Sequence, residues 1–238
     1  YDTMTEVYGE RTLTKTPSII GHRGNPSQMP ENSIEGYITA VKNGATEVET
    51  DIHLSKDGYV IVCHDGTLNR TTNYNGSLSI SQMTLEEIKS YRLLNNNGTV
   101  SDYTVPTFEE MLVALKDYDC NIVVELKAYN TGMLKAVSDL IDKYDYASRI
   151  NVISFYGDML TSLLDIRRDI STGYLSGSLS SWSSSAELRE NFYNLLSAAQ
   201  VYDSSINISY GNINKEFYTL LSDRGITLWP WTYSKSVA

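Results

Sequence analysis

The sequence predicts an α/β fold with a parallel sheet, and it favours a TIM-type (β/α) barrel over a doubly wound sheet. Strand-like and helix-like segments alternate along the chain with short links, which is the pattern of repeated βα units. Polar residues that can carry chemistry stand at the ends of apolar runs, at His22 and at Glu125. Because TIM-type barrels place their sites at the carboxyl ends of the strands, this placement favours the barrel.

The first strand and helix follow from hydrophobic periodicity. Ser18–His22 is a short, apolar run of the kind found in buried strands. Glu31–Asn43 carries apolar residues at the helical period of about 3.6 residues. Ser33 is a suitable N-cap for this helix, and Gly44 is a suitable residue to end it.

A β-hairpin is predicted next. Thr46–Leu54 is strand-like, Lys56-Asp57-Gly58 is a turn, and Tyr59–His64 is rich in β-formers. Because side chains alternate along a strand, Glu49 and Asp51 project from the same face. A turn this short makes Tyr59–His64 run back antiparallel to Thr46–Leu54. We therefore expect His64 to lie near those two carboxylates.

The rest of the chain is predicted to form further βα units after one insertion. Residues 66–106 are rich in Asn, Ser, Thr and Gly, with a helical piece near Thr84–Tyr91, and we interpret them as a small inserted cap. Residues 1–17 are polar and read as an N-terminal arm, which leaves a barrel domain over 18–238. The later elements are expected to be the helix Thr107–Tyr118, strand Asn121–Lys127, helix Met133–Tyr144, strand Ile150–Phe155, helix Asp158–Arg168, strand Ser171–Leu175, helix Ser185–Leu196, strand Gln200–Ser204, helix Lys215–Asp223 and strand Thr227–Thr232.

Composition excludes several classes of protein. A formal net charge of -10 and a pI of about 4.8 argue against nucleic acid or an anionic membrane as the main partner. No stretch approaches the roughly 18 apolar residues of a membrane span, and the chain begins without a leader-like segment. Cys63 and Cys120 form neither a disulfide framework nor a zinc pattern. The low lysine content slightly favours an extracytoplasmic or membrane-associated protein, and the sequence leaves the oligomeric state open.

Three carboxylates are candidate metal ligands. Glu49 and Asp51 would repel each other on one strand face unless a cation neutralises them, although a surface ladder of acidic residues is the alternative. Glu125 ends the apolar run Ile122-Val123-Val124, where an unpartnered carboxylate is costly. Ligands that are all oxygen favour Mg²⁺ or Ca²⁺ over zinc, and the sequence does not choose between these two ions.

The remaining candidates surround these carboxylates in the order of the chain. His22 and His64 are an acid–base pair that can exchange a proton with a substrate, and Arg23 and Lys127 can bind an anion. Together with a cation, this is the set of groups required to cleave a phosphodiester. Two further groups have either a structural or a supporting role, namely the pair Glu31 and Asn32 at the predicted start of a helix and Trp231 at a strand end.

These motifs resemble those of the glycerophosphodiester phosphodiesterase family. The resemblance runs from Ile19 to about Tyr233 and includes Gly21-His22-Arg23-Gly24, Glu49-Thr50-Asp51, His64-Asp65, Leu68-Asn69-Arg70-Thr71-Thr72, Glu125-Leu126-Lys127 and Trp231-Thr232. It implies a TIM-type barrel that hydrolyses glycerophosphodiesters to glycerol 3-phosphate and an alcohol. It further implies one Mg²⁺ or Ca²⁺ on Glu49, Asp51 and Glu125, phosphate contacts from Arg23 and Lys127, and acid–base catalysis by the two histidines.

Two rival functions and one departure accompany this resemblance. The family usually continues beyond the Trp-Thr motif, so the last βα unit is expected to be missing and the barrel incompletely closed. A lysophospholipase D-like or other phospholipid phosphodiesterase is the nearest rival. A non-catalytic module that binds phosphoesters is the rival of another class, and the presence of both His22 and His64 opposes it. A glycosidase would need two carboxylates but no cation or histidine pair.

Overall fold

The computed structural model describes residues 18–177, 205–209, 213 and 215–232. The chain divides into two units, one spanning Ser18–Ser171 and the other containing the described residues from Thr172 onwards. The strands of the first unit are β1 (Ile20–His22), β2 (Glu47–Leu54), β3 (Val60–Val62), β4 (Arg92–Leu94), β5 (Val100–Thr104), β6 (Asn121–Leu126) and β7 (Ile150–Ser154). Its helices are α1 (Ile34–Lys42), α2 (Leu85–Lys89), α3 (Phe108–Leu115), α4 (Thr131–Tyr144) and α5 (Gly157–Ile166), with short 3₁₀ turns at Ile80–Gln82 and Ala147–Arg149.

The first unit is built around a parallel sheet. Strands β1, β2, β6 and β7 lie side by side in that order, and every pair among them is parallel. Most residues of β2 and β6 are buried, as expected for strands covered by helices on the face away from the site. The register pairs His22 with Glu49 and Asp51 with Glu125. Neighbouring strands therefore deliver these residues to the same edge of the sheet.

Helix starts agree with the capping signals of the sequence. Ser33 is the N-cap of α1, and its side-chain oxygen accepts a hydrogen bond from the backbone N–H of Gly36. Thr107 caps α3 through a capping box with Glu110, in which each side chain accepts from the other residue's backbone N–H. The predicted α/β class is confirmed, and the helices and strands predicted in this unit are present with ends that differ by a few residues. Strands β4 and β5 were not predicted, because the Asn-, Ser- and Gly-rich composition of residues 66–106 favoured irregular loops.

The hairpin and the inserted segment follow β2. Strand β3 pairs antiparallel with the end of β2, as the hairpin prediction requires. Residues 66–106, called the inserted segment below, form a separate two-stranded sheet of β4 and β5 together with α2. Its apolar side chains pack on Ile61 and Cys63 of the hairpin. Its function as a cap beside the site stays a prediction.

The second unit continues the alternation of strand and helix. Strands β8 (Ser171–Ser176), β9 (Ser205–Ser209) and β10 (Leu228–Trp231) are parallel neighbours in that order, and α6 is Lys215–Ser222. Ile206, Ile208, Phe217 and Leu221 form its buried cluster. The predicted arm 1–17, the helix Ser185–Leu196 and the strand Gln200–Ser204 all lie outside the described residues.

Strand β9 was not predicted from the sequence. Its sequence Ser-Ile-Asn-Ile-Ser has only two apolar residues, which is a weak signal for a buried strand, yet Asn207 is also buried. The absence of a last βα unit stays a prediction, since residues 233–238 are also outside the described part of the chain.

Candidate active site

Three carboxylates converge at the edge of the sheet where β1, β2 and β6 end. Glu49, Asp51 and Glu125 each offer an oxygen atom, and these atoms lie within 4.8 Å of one another. The three residues are between 0% and 8% exposed. Their convergence follows from the alternation of side chains along β2 and from the parallel pairing of Asp51 with Glu125.

The proximity of these groups disfavours their ionised forms in the absence of a cation. Burial, together with the charges of Asp51 and Glu125, raises the pKa of Glu49 well above its usual value. Burial raises the pKa of Glu125 to about 7, although the nearby Lys127 ammonium opposes the shift. Asp51 Oδ1 is buried and accepts no hydrogen bond. A hard divalent cation would satisfy this set of oxygen ligands, so the residues fit Mg²⁺ or Ca²⁺.

Two cationic side chains border the carboxylates. Lys127 Nζ lies 2.9 Å from Glu125 Oε1 and 3.5 Å from Asp51 Oδ1. Arg23 Nε lies 3.4 Å from Asp51 Oδ2, and Arg23 NH1 donates to Glu31 Oε1 at 3.2 Å. Both side chains are less than one fifth exposed. The two cations therefore neutralise the carboxylates in part and leave a positive rim around them.

The backbone after β1 adopts a conformation that presents Arg23 to the site. Arg23 has a φ of 58°, and its backbone N–H donates to Glu49 Oε2 at 3.0 Å. Gly24 follows with a φ of +85°, and a Cβ atom there would lie 2.7 Å from the carbonyl carbon of Gly36 in α1. Only glycine permits this close approach of the loop to the helix.

Asn32 supports the carboxylates from the segment before α1. Its Nδ2 donates to Asp51 Oδ2 at 3.0 Å, and the Tyr37 hydroxyl donates to its Oδ1 at 2.6 Å. Helix α1 begins only at Ile34, so Glu31 and Asn32 precede the helix. The sequence left open whether Glu31 and Asn32 only start the helix or also support the site. In the structure, both residues contact other candidate site residues.

The two candidate acid–base histidines lie at the same edge. His22 Nε2 is 3.8 Å from Glu49 Oε2, and burial followed by the charge of Arg23 lowers the pKa of His22. The charge of His64 contributes further to this lowering of the His22 pKa. His64 Nδ1 donates to Asp65 Oδ1 at 2.7 Å. His53, near the end of β2, places Nε2 3.2 Å from the His64 carbonyl oxygen.

Asp65 and Arg70 were not among the candidate site residues predicted from the sequence. Arg70 donates to both oxygens of Asp65 and to both oxygens of Glu31. Asp65 had a local signal, since it adjoins His64. The Glu31 contact had none, because these two residues are 39 positions apart. Trp231, the remaining candidate, is the last residue of β10 in the second unit.

Comparisons with known proteins identify the family of this chain. Residues 22–237 match the model of the glycerophosphoryl diester phosphodiesterase family. A glycerophosphodiester phosphodiesterase from Caldanaerobacter subterraneus is 28% identical over 223 residues, which cover 91% of this chain and 86% of that protein. Among the described helices, none combines the length and apolar composition needed to cross a membrane.

Solved structures show the same fold. A putative glycerophosphoryl diester phosphodiesterase from Silicibacter pomeroyi has a TM-score of 0.81 at 21% identity, over 96% of this chain and 86% of the other. An Oleispira antarctica phosphodiesterase, solved in complex with the product sn-glycerol-3-phosphate, has a TM-score of 0.78 at 23% identity, over 92% and 85% of the two chains. The structural neighbours are TIM-barrel enzymes of α/β class. With its family model matched over 22–237, the chain belongs to the glycerophosphoryl diester phosphodiesterase family.

Proposed function

We propose that this protein hydrolyses glycerophosphodiesters to glycerol 3-phosphate and an alcohol, using a divalent cation and two histidines. The observation that carries the proposal is the buried group Glu49, Asp51 and Glu125, bordered by two cationic side chains and by the His22 imidazole. Family membership supports the same reaction, and so does the product complex of the Oleispira antarctica enzyme.

Glu49, Asp51 and Glu125 are the proposed ligands of one Mg²⁺ or Ca²⁺. Their support is the shared edge of the sheet, the raised pKa values of Glu49 and Glu125, and the Asp51 oxygen that accepts no hydrogen bond. When bound, such a cation neutralises the non-bridging oxygens of the phosphodiester and favours its attack by a nucleophile.

Arg23 and Lys127 are the proposed phosphate contacts. Each borders the carboxylates, and each is already paired with one of them, which restricts its position. Charge builds up on the phosphoryl oxygens as the transition state forms, and pre-positioned donors stabilise that charge without reorganisation. The overall charge of the protein is -10, so local cations are necessary to attract an anionic group.

His22 and His64 are the proposed acid and base. One removes a proton from the nucleophile, which is water or the adjacent glycerol hydroxyl, and the other protonates the leaving oxygen. His64 donates from Nδ1 to Asp65, so its Nε2 is the atom available for proton transfer. Detection of a cyclic glycerol phosphate intermediate distinguishes the two nucleophiles. Attack by the glycerol hydroxyl expels the alcohol and forms this intermediate, which water then opens, whereas direct attack by water forms no cyclic phosphate.

The direct test is glycerol 3-phosphate release from glycerophosphocholine, with lysophosphatidylcholine as the rival substrate. Wild-type protein should release glycerol 3-phosphate, whereas Glu49→Gln should lose most of this activity because it removes a proposed ligand charge. Glu86→Gln is the matched control, since Glu86 is an exposed glutamate of the inserted segment. Faster cleavage of the lysophospholipid would favour the rival enzyme. Binding of glycerophosphocholine without turnover would favour the non-catalytic module.

A further inference from the structure

We propose that Arg70, contributed by the inserted segment, is a positioning residue for His64. Arg70 holds the Asp65 carboxylate, and that carboxylate in turn sets the tautomer and orientation of the His64 imidazole. This inference rests on the proposed function, because it gives Arg70 a part in the same proton transfer.

The guanidinium of Arg70 contacts two carboxylates with defined geometry. Nε and NH2 donate to Asp65 at 2.7 Å and 3.0 Å, while NH1 and NH2 donate to Glu31, both at 2.8 Å. Each contact is bidentate, which restricts both the position and the plane of the carboxylate. A lysine could not form this pair of contacts, since its ammonium group is a point charge without a planar fork.

Asp65 transmits this restraint to the imidazole. Hydrogen bonds from Arg70 lower the pKa of Asp65, so the carboxylate is ionised and acts only as an acceptor. His64 must then carry its proton on Nδ1, which leaves the Nε2 lone pair directed away from Asp65. A carboxylate that fixes the tautomer of a catalytic histidine in this way is a known arrangement in other hydrolases.

Glu31 extends the same network to the proposed phosphate contact. Its carboxylate accepts from Arg70 and also from Arg23 NH1, at 3.2 Å. Negative and positive charges therefore alternate from Asp65 through Arg70 and Glu31 to Arg23. Arg23 Nε in turn lies 3.4 Å from Asp51 Oδ2. Arg70 is therefore placed to hold the acid–base group and the phosphate-binding group in one arrangement.

The exposure of the Arg70 ion pairs distinguishes a positioning role for Arg70 from a purely structural one. The Arg70 side chain is 47% exposed, and its partners Glu31 and Asp65 are 20% and 30% exposed. Ion pairs with this exposure contribute little to stability, because water screens them. We therefore expect Arg70→Gln to change the melting temperature by only a few degrees while reducing turnover strongly.

The kinetic arm compares Arg70→Gln, Arg70→Lys and the control Arg92→Gln. Arg70→Gln should lower kcat about ten- to a hundredfold through misplacement of the imidazole. KM should stay within about threefold, because Arg70 is assigned no contact with the substrate. Arg70→Lys should give an intermediate kcat. Arg92 is an exposed arginine of the same inserted segment, and its replacement by glutamine should leave kcat unchanged.

The spectroscopic arm measures the tautomer directly and needs no turnover. The chain has three histidines, so nitrogen–proton correlation spectra contain three imidazoles, and His64→Asn identifies the His64 signal. At a pH well above the usual histidine pKa, wild-type His64 should be protonated on Nδ1. In Arg70→Gln the His64 signal should move towards a mixture of tautomers, while the His22 signal stays in place.

The two arms decide between the outcomes. A fall in kcat together with a change of tautomer supports the proposal. An unchanged tautomer overturns it, whether or not kcat falls, and so does an unchanged kcat. If the wild-type protein hydrolyses no glycerophosphodiester, the proposed function fails, and the spectra alone still show whether Arg70 controls the His64 tautomer.

Discussion

At the scale of single residues, the site concentrates negative charge where water is excluded. Glu49 and Glu125 have raised pKa values because they are buried beside each other and beside Asp51. Lys127 and Arg23 compensate only in part, since neither contacts all three carboxylates. Such an arrangement destabilises the metal-free fold and favours cation binding, so binding and protonation compete for the same oxygens.

The first prediction concerns the pH dependence of cation-linked stability. In the metal-free protein, Glu125 titrates at about 7 when folded and near 4.3 when unfolded. Its contribution to stability is therefore fully present below the unfolded value and is lost as pH rises through the folded value. Mg²⁺ or Ca²⁺ binds the ionised form, so the gain in melting temperature on adding the ion should be larger at about pH 8 than at about pH 5.5.

Thermal unfolding with and without the ion checks this prediction. Glu86→Gln should keep the pH dependence of the gain, because Glu86 is exposed and outside the site. Glu125→Gln should reduce both the gain and its pH dependence. A gain of equal size at both pH values in the wild-type protein would contradict the assignment of these carboxylates as ligands.

The second prediction concerns the two histidines. His22→Ala and His64→Ala should each lower kcat/KM by about a hundredfold or more, and the wild-type profile should be bell-shaped around neutrality. Burial and Arg23 lower the pKa of His22, so if His22 is the base, the acidic limb should lie below the usual value of about 6.5.

The pH–rate profiles of both variants, with circular dichroism as a check on folding, provide the measurement. The variant that loses the acidic limb identifies the base. A variant with turnover near that of the wild type would remove that histidine from the mechanism.

At the scale of elements, the site depends on strand register and on one loop. The parallel pairing of β1, β2 and β6 aligns His22 with Glu49 and Asp51 with Glu125. The loop after β1 then passes so close to α1 that Gly24 lies against the backbone of Gly36. Helix α1 in turn places Tyr37 beneath Asn32, which donates to Asp51.

The third prediction separates the two requirements at Gly24. In Gly24→Ala, the alanine would adopt a left-handed φ, and its Cβ would lie 2.7 Å from the carbonyl carbon of Gly36. In Gly58→Ala, the alanine would adopt a similar φ of +88°, but its Cβ would have open space around it. Gly58→Ala should cost about 1–2 kcal/mol of unfolding free energy. Gly24→Ala should cost about 1–3 kcal/mol more, because backbone must move. Urea denaturation measures both values, and equal losses would show that the close approach has no energetic weight.

Sequence patterns predicted the parts of the site that depend on local periodicity. The alternation along β2 placed Glu49 and Asp51 on one face. The short turn predicted the antiparallel return of β3, although this strand ends at Val62 and His64 lies two residues beyond it. The Asp65–Arg70–Glu31 network was not predictable, since it joins an exposed residue of the inserted segment to a loop 39 positions away. Strand β9 was missed because its alternating Ser, Ile and Asn residues give a weak apolar signal.

At the scale of the whole molecule, the inserted segment adds a small core beside the hairpin. Residues 66–106 bury apolar side chains against Ile61 and Cys63. Asn96, in the turn between β4 and β5, donates to the Pro26 carbonyl oxygen in the loop that follows Gly24. This contact supports the prediction that the segment borders the mouth of the site and influences which headgroup enters.

The fourth prediction tests that influence without disturbing Arg70. Replacing residues 95–99 by a two-residue Asn-Gly turn keeps the β4–β5 hairpin and removes the Asn96 contact. The ratio of kcat/KM for glycerophosphocholine over glycerophosphoethanolamine should change, whereas the affinity for Mg²⁺ or Ca²⁺ should not. Calorimetry and paired kinetics measure the two quantities. An unchanged ratio with lower metal affinity would contradict the assignment.

The central claim is that one divalent cation, held by Glu49, Asp51 and Glu125, enables phosphodiester hydrolysis. The most direct measurement removes bound metal with EDTA, adds Mg²⁺ or Ca²⁺ back in steps, and follows ion binding and glycerol 3-phosphate release in the same samples. We expect activity to be lost on chelation and regained in proportion to the binding of one ion per chain. Full activity in the chelated protein, or an ion bound without any return of activity, would contradict the claim.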